Sequence, residues 1–202
     1  MTVGKDLTVE DLLQMSRREH WEVMKRAHPF DPAALDDTQY IGVDLSLPRV
    51  MNRLLWKTFR KTFHRDPATG VLRGWNVRLE QTGWEVPTTP MTDRHGEPIT
   101  FGHYEVRAAS GKRFPWGWQG AHYLDYGVAG NVPLDPARVG YCPVVAVNAG
   151  RHDLLLGWEV LKVGPALIPL PDYWALVREG PLDRVVPVPR PTRTHRAAAV
   201  AR

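Results

Sequence analysis

Residues 56–81 carry the pattern that most constrains the fold, because two strand-like runs flank a five-residue turn sequence. The turn reads DPATG from Asp66 to Gly70. Proline fixes φ near the value that a type I turn requires, and glycine tolerates the positive φ that closes such a turn. This arrangement is typical of a β-hairpin, so we expect an antiparallel sheet built from hairpins.

The second arm of this hairpin alternates in polarity, as a strand with two different faces would. One face holds Trp75, Val77 and Leu79, and the other holds Asn76, Arg78 and Glu80. Alternation alone does not show which of the two faces is exposed to solvent. The polar row therefore either points into the molecule, where it would need a hydrogen-bonded network or a polar ligand, or lies outside while the apolar row fills the interior.

Patterns in the rest of the sequence predict helices near the N-terminus and strands after them. A capping Thr8 precedes a helical pattern that ends at His28-Pro29, and a helical turn follows from Asp31. Further strands are predicted at 38–47, 101–108, 122–126, 144–147, 154–163 and 173–179, with a brief helix at 50–55 and a long loop at 82–98. About eight strands without regular βα alternation indicate a mostly β fold, an antiparallel lipocalin-like barrel or a strongly curved sheet with one or two N-terminal helices.

The charge distribution sets the predicted domain boundaries. The chain has 26 basic and 22 acidic residues, but five of the arginines lie in residues 184–202, which hold no carboxylate, so residues 1–183 carry about −1. We therefore expect a helical segment at 1–30, a barrel domain at 31–183 and a disordered basic tail at 184–202. The composition of the tail favours solvated disorder over contact with nucleic acid or a membrane surface.

The cysteine content and the N-terminus bear on the compartment. Cys142 is the only cysteine, so no disulfide can form within the chain, and a reducing cytoplasm fits. The N-terminal residues include acidic side chains and no long apolar run, which argues against a secretory signal or a membrane span. We expect a soluble, cytoplasmic protein, and the sequence leaves its oligomeric state open.

Two histidine and carboxylate pairs are candidates for general acid-base catalysis, because a carboxylate beside an imidazole fixes its tautomer and raises its basicity. These catalytic candidates are His103 with Glu105 and His122 with Asp125. No zinc motif, P-loop, nucleophile elbow or dinucleotide fingerprint is present, so neither a metal nor a cofactor is predicted. The Cys142-Pro143 pair indicates a packing residue rather than a nucleophile.

Aromatic and polar residues also suggest a binding site. Glycines beside large rings in WGWQG allow a sharp turn that leaves the rings at a cavity mouth, or an aromatic corner that plugs one barrel end. The candidate ligand-binding residues are Trp75, Asn76, Arg78, Glu80, Trp116 and Trp118. The polar anchors of a ligand would be Arg78, Glu80, His103 and His122.

Several segments resemble the bacterial Gly-X-Trp-X-Gly family and the uncharacterised domain that follows its motif. The segments are Tyr40–Gly42, Trp56–Phe63, Asp153–Gly157 and Tyr173–Arg178, which together with neighbouring patches cover about half of the chain. The full signature is absent, and the insert at 82–98 departs from the family pattern. The resemblance implies a lipocalin-like barrel without an established activity.

Three functions are compatible with these patterns. The first is a barrel that binds a small, largely apolar molecule in an internal cavity of about 300 to 1,000 Å³. The second is a cyclase, isomerase or lyase on the same scaffold, with His103 or His122 as acid or base. The third is an interaction protein whose basic tail contacts an anionic partner.

Overall fold

The computed structural model describes residues 6–46, 57–82 and 88–190. The brief helix predicted at 50–55, the part of the long loop at 83–87 and the part of the tail beyond residue 190 lie outside the described residues. None of the helices within the described ranges is long and apolar enough to cross a membrane.

Eight antiparallel strands form a closed barrel in which each strand pairs with the next, and the last strand pairs with the first. The prediction of a mostly β antiparallel barrel is therefore confirmed. The strands are β1 (Thr38–Asp44), β2 (Thr58–Arg65), β3 (Leu72–Arg78), β4 (Thr100–Ala108), β5 (His122–Asp125), β6 (Tyr141–Ala146), β7 (Leu154–Val163) and β8 (Ala166–Pro181).

The hairpin between β2 and β3 has the predicted turn. Gly70 adopts a φ of 69° and its amide donates to the Asp66 carbonyl at 2.8 Å. The Asp66 carboxylate accepts from the amides of Ala68 and Thr69, at 2.8 and 3.1 Å. The aspartate side chain and the positive φ of glycine together close this turn.

Two short helices, α1 (Val9–Gln14) and α2 (Arg17–Arg26), replace the single long helix that the pattern predicts. Thr8 and Ser16 each form a capping box, and the second box starts a new helix where the first one ends. Both helices pack on the outer face of the barrel, where Leu12 and Met24 join one core cluster with Trp158. The helices thus cover strands and leave the barrel interior to other residues.

One end of the barrel is closed by the segment that precedes β1. The backbones of His28 and Ala146 exchange hydrogen bonds of 2.9 and 3.0 Å, which attach this segment to the end of β6. Phe30 and Leu35 are buried in a cluster with the interior residues Tyr40 and Phe63. This plug closes one end of the barrel, and the cavity described below lies at the opposite end.

Residues 182–190 lie along the outside of the barrel. The Arg73 guanidinium donates to the Val186 carbonyl at 2.9 Å, and Arg184 pairs with Glu97. Gly130 also lies close to this segment, because a Cβ added at Gly130 would be only 2.3 Å from the Arg190 carbonyl oxygen. The first seven residues of the predicted tail, 184–190, are therefore in contact with the barrel domain.

Two irregularities determine which side chains enter the open end. A register shift in the β3–β4 ladder coincides with the positive φ of Gly102, 52°, so the alternation of β4 changes there. Phe101 consequently lines the interior cavity, whereas strict alternation along the strand would place it on one face with His103 and Glu105. A second shift, between Trp158 and Val160 in the β7–β8 ladder, lies beside Asp172.

Gly157 on β7 leaves room for the indole of Trp174. A Cβ at Gly157 would lie 2.1 Å from the Trp174 ring. This is a steric clash, so the indole would have to move to make room for the Cβ. Gly157→Ala should therefore lower the free energy of unfolding by about 1–3 kcal/mol, as measured by urea denaturation. The control is Gly127→Ala at an exposed position, where the nearest atom would be 3.3 Å away. Equal losses in the two variants would contradict this packing.

Candidate functional site

A cavity of about 280 Å³ occupies the open end of the barrel. Described residues from β1, β2, β3, β4, β7 and β8 and from the loops near β5 and β6 line it: Asp44, Phe59, Lys61, Asn76, Phe101, Tyr126, Ala137, Glu159, Asp172 and Trp174. Larger depressions of about 500 and 630 Å³ border α2 on the outer surface. The interior cavity is the better candidate because its walls combine buried charge with aromatic rings.

Lys61 is the central polar residue of this cavity. It belongs to β2, its side chain points into the barrel, and only 2% of the residue is exposed. The Lys61 ammonium donates to the Asn76 amide oxygen at 2.7 Å and to the Tyr126 hydroxyl at 2.8 Å. Neither acceptor is charged, so these bonds orient the ammonium without neutralising it.

Aromatic rings surround the Lys61 nitrogen. Its distances to the ring centres are 4.6 Å for Tyr104, 4.8 Å for Trp174, 5.4 Å for Tyr126 and 5.5 Å for Phe59. The faces of such rings carry negative partial charge and attract a cation within about 6 Å. The rings thus replace part of the hydration that the ammonium loses inside the barrel.

Burial nevertheless changes the acidity of Lys61. Desolvation lowers the pKa of its ammonium from 10.5 to about 8, although the nearby Cys142 and Glu159 oppose this shift. A lysine with this pKa is partly in the neutral amine form near neutral pH. Lys61 therefore combines a proton donor and a potential nucleophile at one atom.

Acidic groups face Lys61 from the other side of the cavity. The Cys142 thiol donates to the Glu159 carboxylate at 3.3 Å, and burial raises the pKa of Glu159. Burial also raises the pKa of Asp172 to about 7, and repulsion from Asp44 and Glu159 adds to the shift. One carboxylate oxygen of Asp172 is buried without a hydrogen-bond partner in the described part of the chain. Near neutral pH the Asp172 carboxyl group can therefore hold or release a proton.

The polar row predicted on β3 does enter the barrel at Asn76, which bonds to Lys61 and lines the cavity. Arg78 lies further out, with its guanidinium 5.9 Å from the centre of the Phe101 ring. Glu80 is exposed beyond the end of the strand. Of the polar ligand-binding candidates on this strand, Asn76 is thus the one that the structure places in the cavity wall.

The three candidate tryptophans lie outside the barrel interior. Trp75 is buried on the outer face of β3. Its ring centre lies 5.3 Å from the guanidinium carbon of Arg73 and 6.2 Å from the ring centre of His103. Trp116 is 57% exposed and stacks on Trp158 with the ring centres 4.8 Å apart. Trp118 is buried against Phe114, with the ring centres 5.0 Å apart, in the cluster beneath the helices.

The candidate catalytic pairs do not meet as imidazole–carboxylate pairs. His103 and Glu105 share the outer face of β4, where Glu105 pairs with Arg107 instead. His122 lies at the plugged end, 4.7 Å from the ring of Phe30, whereas Asp125 accepts a bond from the Gly127 amide.

Burial is the main influence on the acidity of both histidines. Burial lowers the pKa of His103 to about 4, with a further contribution from Arg73, and burial also lowers the pKa of His122. The Nδ1 atom of each ring is buried without a hydrogen-bond partner among the described residues. The catalytic roles of His103, His122, Glu105 and Asp125 stay predictions.

Most residues that define the cavity are not among the candidates that the sequence patterns indicate, above all Lys61, Glu159, Asp172 and Trp174. Lys61 had a recognisable signal, because it stands between Phe59 and Phe63 at the spacing of one strand face. Glu159 likewise falls in the same alternating row as Leu155 and Gly157. A single charged residue inside an apolar row is a candidate for a buried functional group.

Comparisons with known proteins identify no relative. No protein-family model, curated protein or solved structure matches the chain. The resemblance to the Gly-X-Trp-X-Gly family therefore stays a prediction. Within the described residues, no group of three or more His, Cys, Asp or Glu side chains is placed to hold a metal ion.

The acids of the cavity predict how stability depends on pH. Asp172 has a raised pKa in the folded state, so it stabilises the fold below its unfolded pKa near 3.8, and this contribution is lost as the pH rises through about 7. Asp172→Asn should therefore reduce the fall in unfolding free energy between pH 5 and pH 8, as measured by urea denaturation. The reduction should approach about 1.4 kcal/mol for each unit that the folded pKa lies above pH 5.

A measurement at pH 4 is the control for this variant, because Asp172 is then protonated in the folded protein and resembles asparagine. The difference in stability between the two proteins should be smallest there and should grow as the pH rises. A difference that is constant from pH 4 to pH 8 would contradict a raised pKa at Asp172.

Proposed function

We propose that this chain binds a small, largely apolar molecule in the Lys61 cavity. The observation that carries the proposal is a buried ammonium that lines an accessible cavity with aromatic walls. Ligand sites of this kind pair apolar surfaces, which supply affinity, with a few fixed polar groups, which supply orientation. The barrel provides the rigid frame that such a site needs.

The volume limits the size of the ligand. At about 280 Å³ the cavity falls just below the range expected from the sequence and corresponds to about nine molecules of liquid water. A compact ligand of one to three rings, or one with a short chain, fits this space better than a long lipid. Because Phe30 and Leu35 plug the other end, the ligand would enter at the end where Phe59 and Phe101 lie.

The wall chemistry favours a ligand with one polar group. Phe59, Phe101 and Trp174 offer apolar ring surface, while Lys61 and the acids offer proton donors and acceptors. A strongly anionic ligand would meet up to three carboxyl groups beside a single ammonium. An uncharged acceptor such as a carbonyl or hydroxyl oxygen can bond to Lys61 without that repulsion.

Ala137 provides a direct test, since it lines the cavity mouth without carrying charge. The neutral fluorescent probe N-phenyl-1-naphthylamine should bind the wild-type protein and brighten, and Ala137→Phe should weaken its Kd at least tenfold by filling the mouth. A fluorescence titration gives both values. The same substitution at the exposed Ala149, beyond the plugged end, is the matched control and should leave the Kd unchanged.

Two results would contradict binding in this cavity. One is a wild-type protein that leaves the fluorescence of the probe unchanged. The other is a Kd that responds equally to Ala137→Phe and Ala149→Phe, because the probe would then bind elsewhere. Circular dichroism of both variants shows whether the barrel is retained.

A further inference from the structure

We propose that Lys61 binds an aldehyde or ketone covalently, as a reversible imine inside the barrel. This inference rests on the proposed function, because the carbonyl compound must first enter the cavity. The class of ligand is then a small, largely apolar carbonyl compound. The geometry of the nitrogen, its bonding partners and the nearby acids each support this step.

The Lys61 nitrogen is positioned as a nucleophile. It lies in the cavity wall and is fixed by Asn76 and Tyr126 at 2.7 and 2.8 Å. The Tyr126 hydroxyl can accept from an ammonium and can donate to a neutral amine, so its bond persists when Lys61 loses a proton. Burial raises the pKa of Tyr126 well above 10, which keeps that hydroxyl protonated.

The environment also makes the neutral amine accessible. A surface lysine is almost wholly protonated at neutral pH, and its ammonium has no lone pair with which to attack a carbonyl carbon. Desolvation lowers the pKa of Lys61 to about 8, and the facing groups Cys142 and Glu159 limit the shift without cancelling it. The rings that surround the nitrogen exclude the water that would otherwise solvate the charge.

The acids supply the proton that imine formation consumes. The amine nitrogen attacks the carbonyl carbon to form a C–N bond while the C=O π bond breaks and its electron pair moves to oxygen, and a proton then moves from nitrogen to that oxygen to give a carbinolamine. A carboxylic acid then protonates the hydroxyl, the C–O bond breaks, and water leaves. The products are a protonated imine, a carboxylate and one water molecule, so no oxidant or reductant is needed.

Asp172 is the acid whose proton is available for this step. It lines the same cavity as Lys61, and burial raises its pKa to about 7, so it is partly protonated near neutral pH. The Glu159 carboxylate lines the same cavity and can offset the charge of the protonated imine.

Reductive trapping tests the proposal on the full chain. The protein is incubated at pH 8 with benzaldehyde and sodium cyanoborohydride, whose hydride adds to the imine carbon and leaves a stable benzylamine. Peptide mass spectrometry then gives the rate of modification at each lysine. Lys61 should react at least ten times faster than Lys25, Lys112 and Lys162, which are exposed. A Lys61 rate no greater than those surface rates would overturn the proposal.

Two variants sharpen the result. Ala137→Phe should slow the modification of Lys61 at least tenfold and leave the exposed lysines unchanged, because only the cavity is blocked. Lys61→Arg should reduce total labelling to the level of the surface lysines. If Lys61→Arg does not fold, the comparison among lysines within the wild-type chain still decides the question.

The trapping and fluorescence experiments distinguish failure of the imine proposal from failure of the binding proposal. Probe binding that responds to Ala137→Phe, together with an unreactive Lys61, would overturn the imine and leave the binding function standing. A wild-type protein that neither binds the probe nor labels Lys61 selectively would overturn both.

Discussion

The burial of the Lys61 ammonium is the interaction on which the rest of the barrel interior depends. A charge that leaves water loses far more free energy than one ordinary hydrogen bond returns, so its surroundings must compensate from several directions. Asn76 and Tyr126 accept its hydrogen bonds, Tyr104 and Trp174 present their ring faces, and Glu159 provides opposite charge across the cavity. An apolar side chain at position 61 would require none of these partners.

The two ends of the barrel serve different purposes. At one end Phe30 and Leu35 join a well-packed apolar cluster, which contributes stability and seals the interior. At the other end the side chains are charged or aromatic, and space remains between them. Gly157 makes room for the Trp174 indole, and the irregularity at Gly102 brings Phe101 inside. The polar end is therefore less densely packed and contains a cavity, as is common at functional sites.

The sequence predicted the architecture well because hairpin signals are local. Asp66 and Gly70 define their turn without help from distant residues, and the alternation along the strands implies an antiparallel sheet. The site was harder to predict because it depends on register and facing. The alternation on β3 left the facing of Asn76 open, and Gly102 by itself did not specify the bulge that moves Phe101 inward. Asp172 approaches Glu159 only after β7 and β8 have paired, so their mutual repulsion is a tertiary property.

The protonation of Lys61 offers the most direct test of this arrangement. Protein carrying ¹³C-labelled lysine would be titrated by NMR, and the ε-carbon resonance of Lys61 assigned by its loss in Lys61→Arg. A titration midpoint near 8, against an ordinary lysine value of 10.5, is expected for an ammonium buried among aromatic rings. A midpoint at or above 10.5 would show that Lys61 is solvated or firmly paired with a carboxylate, and would contradict a desolvated lysine in the barrel cavity.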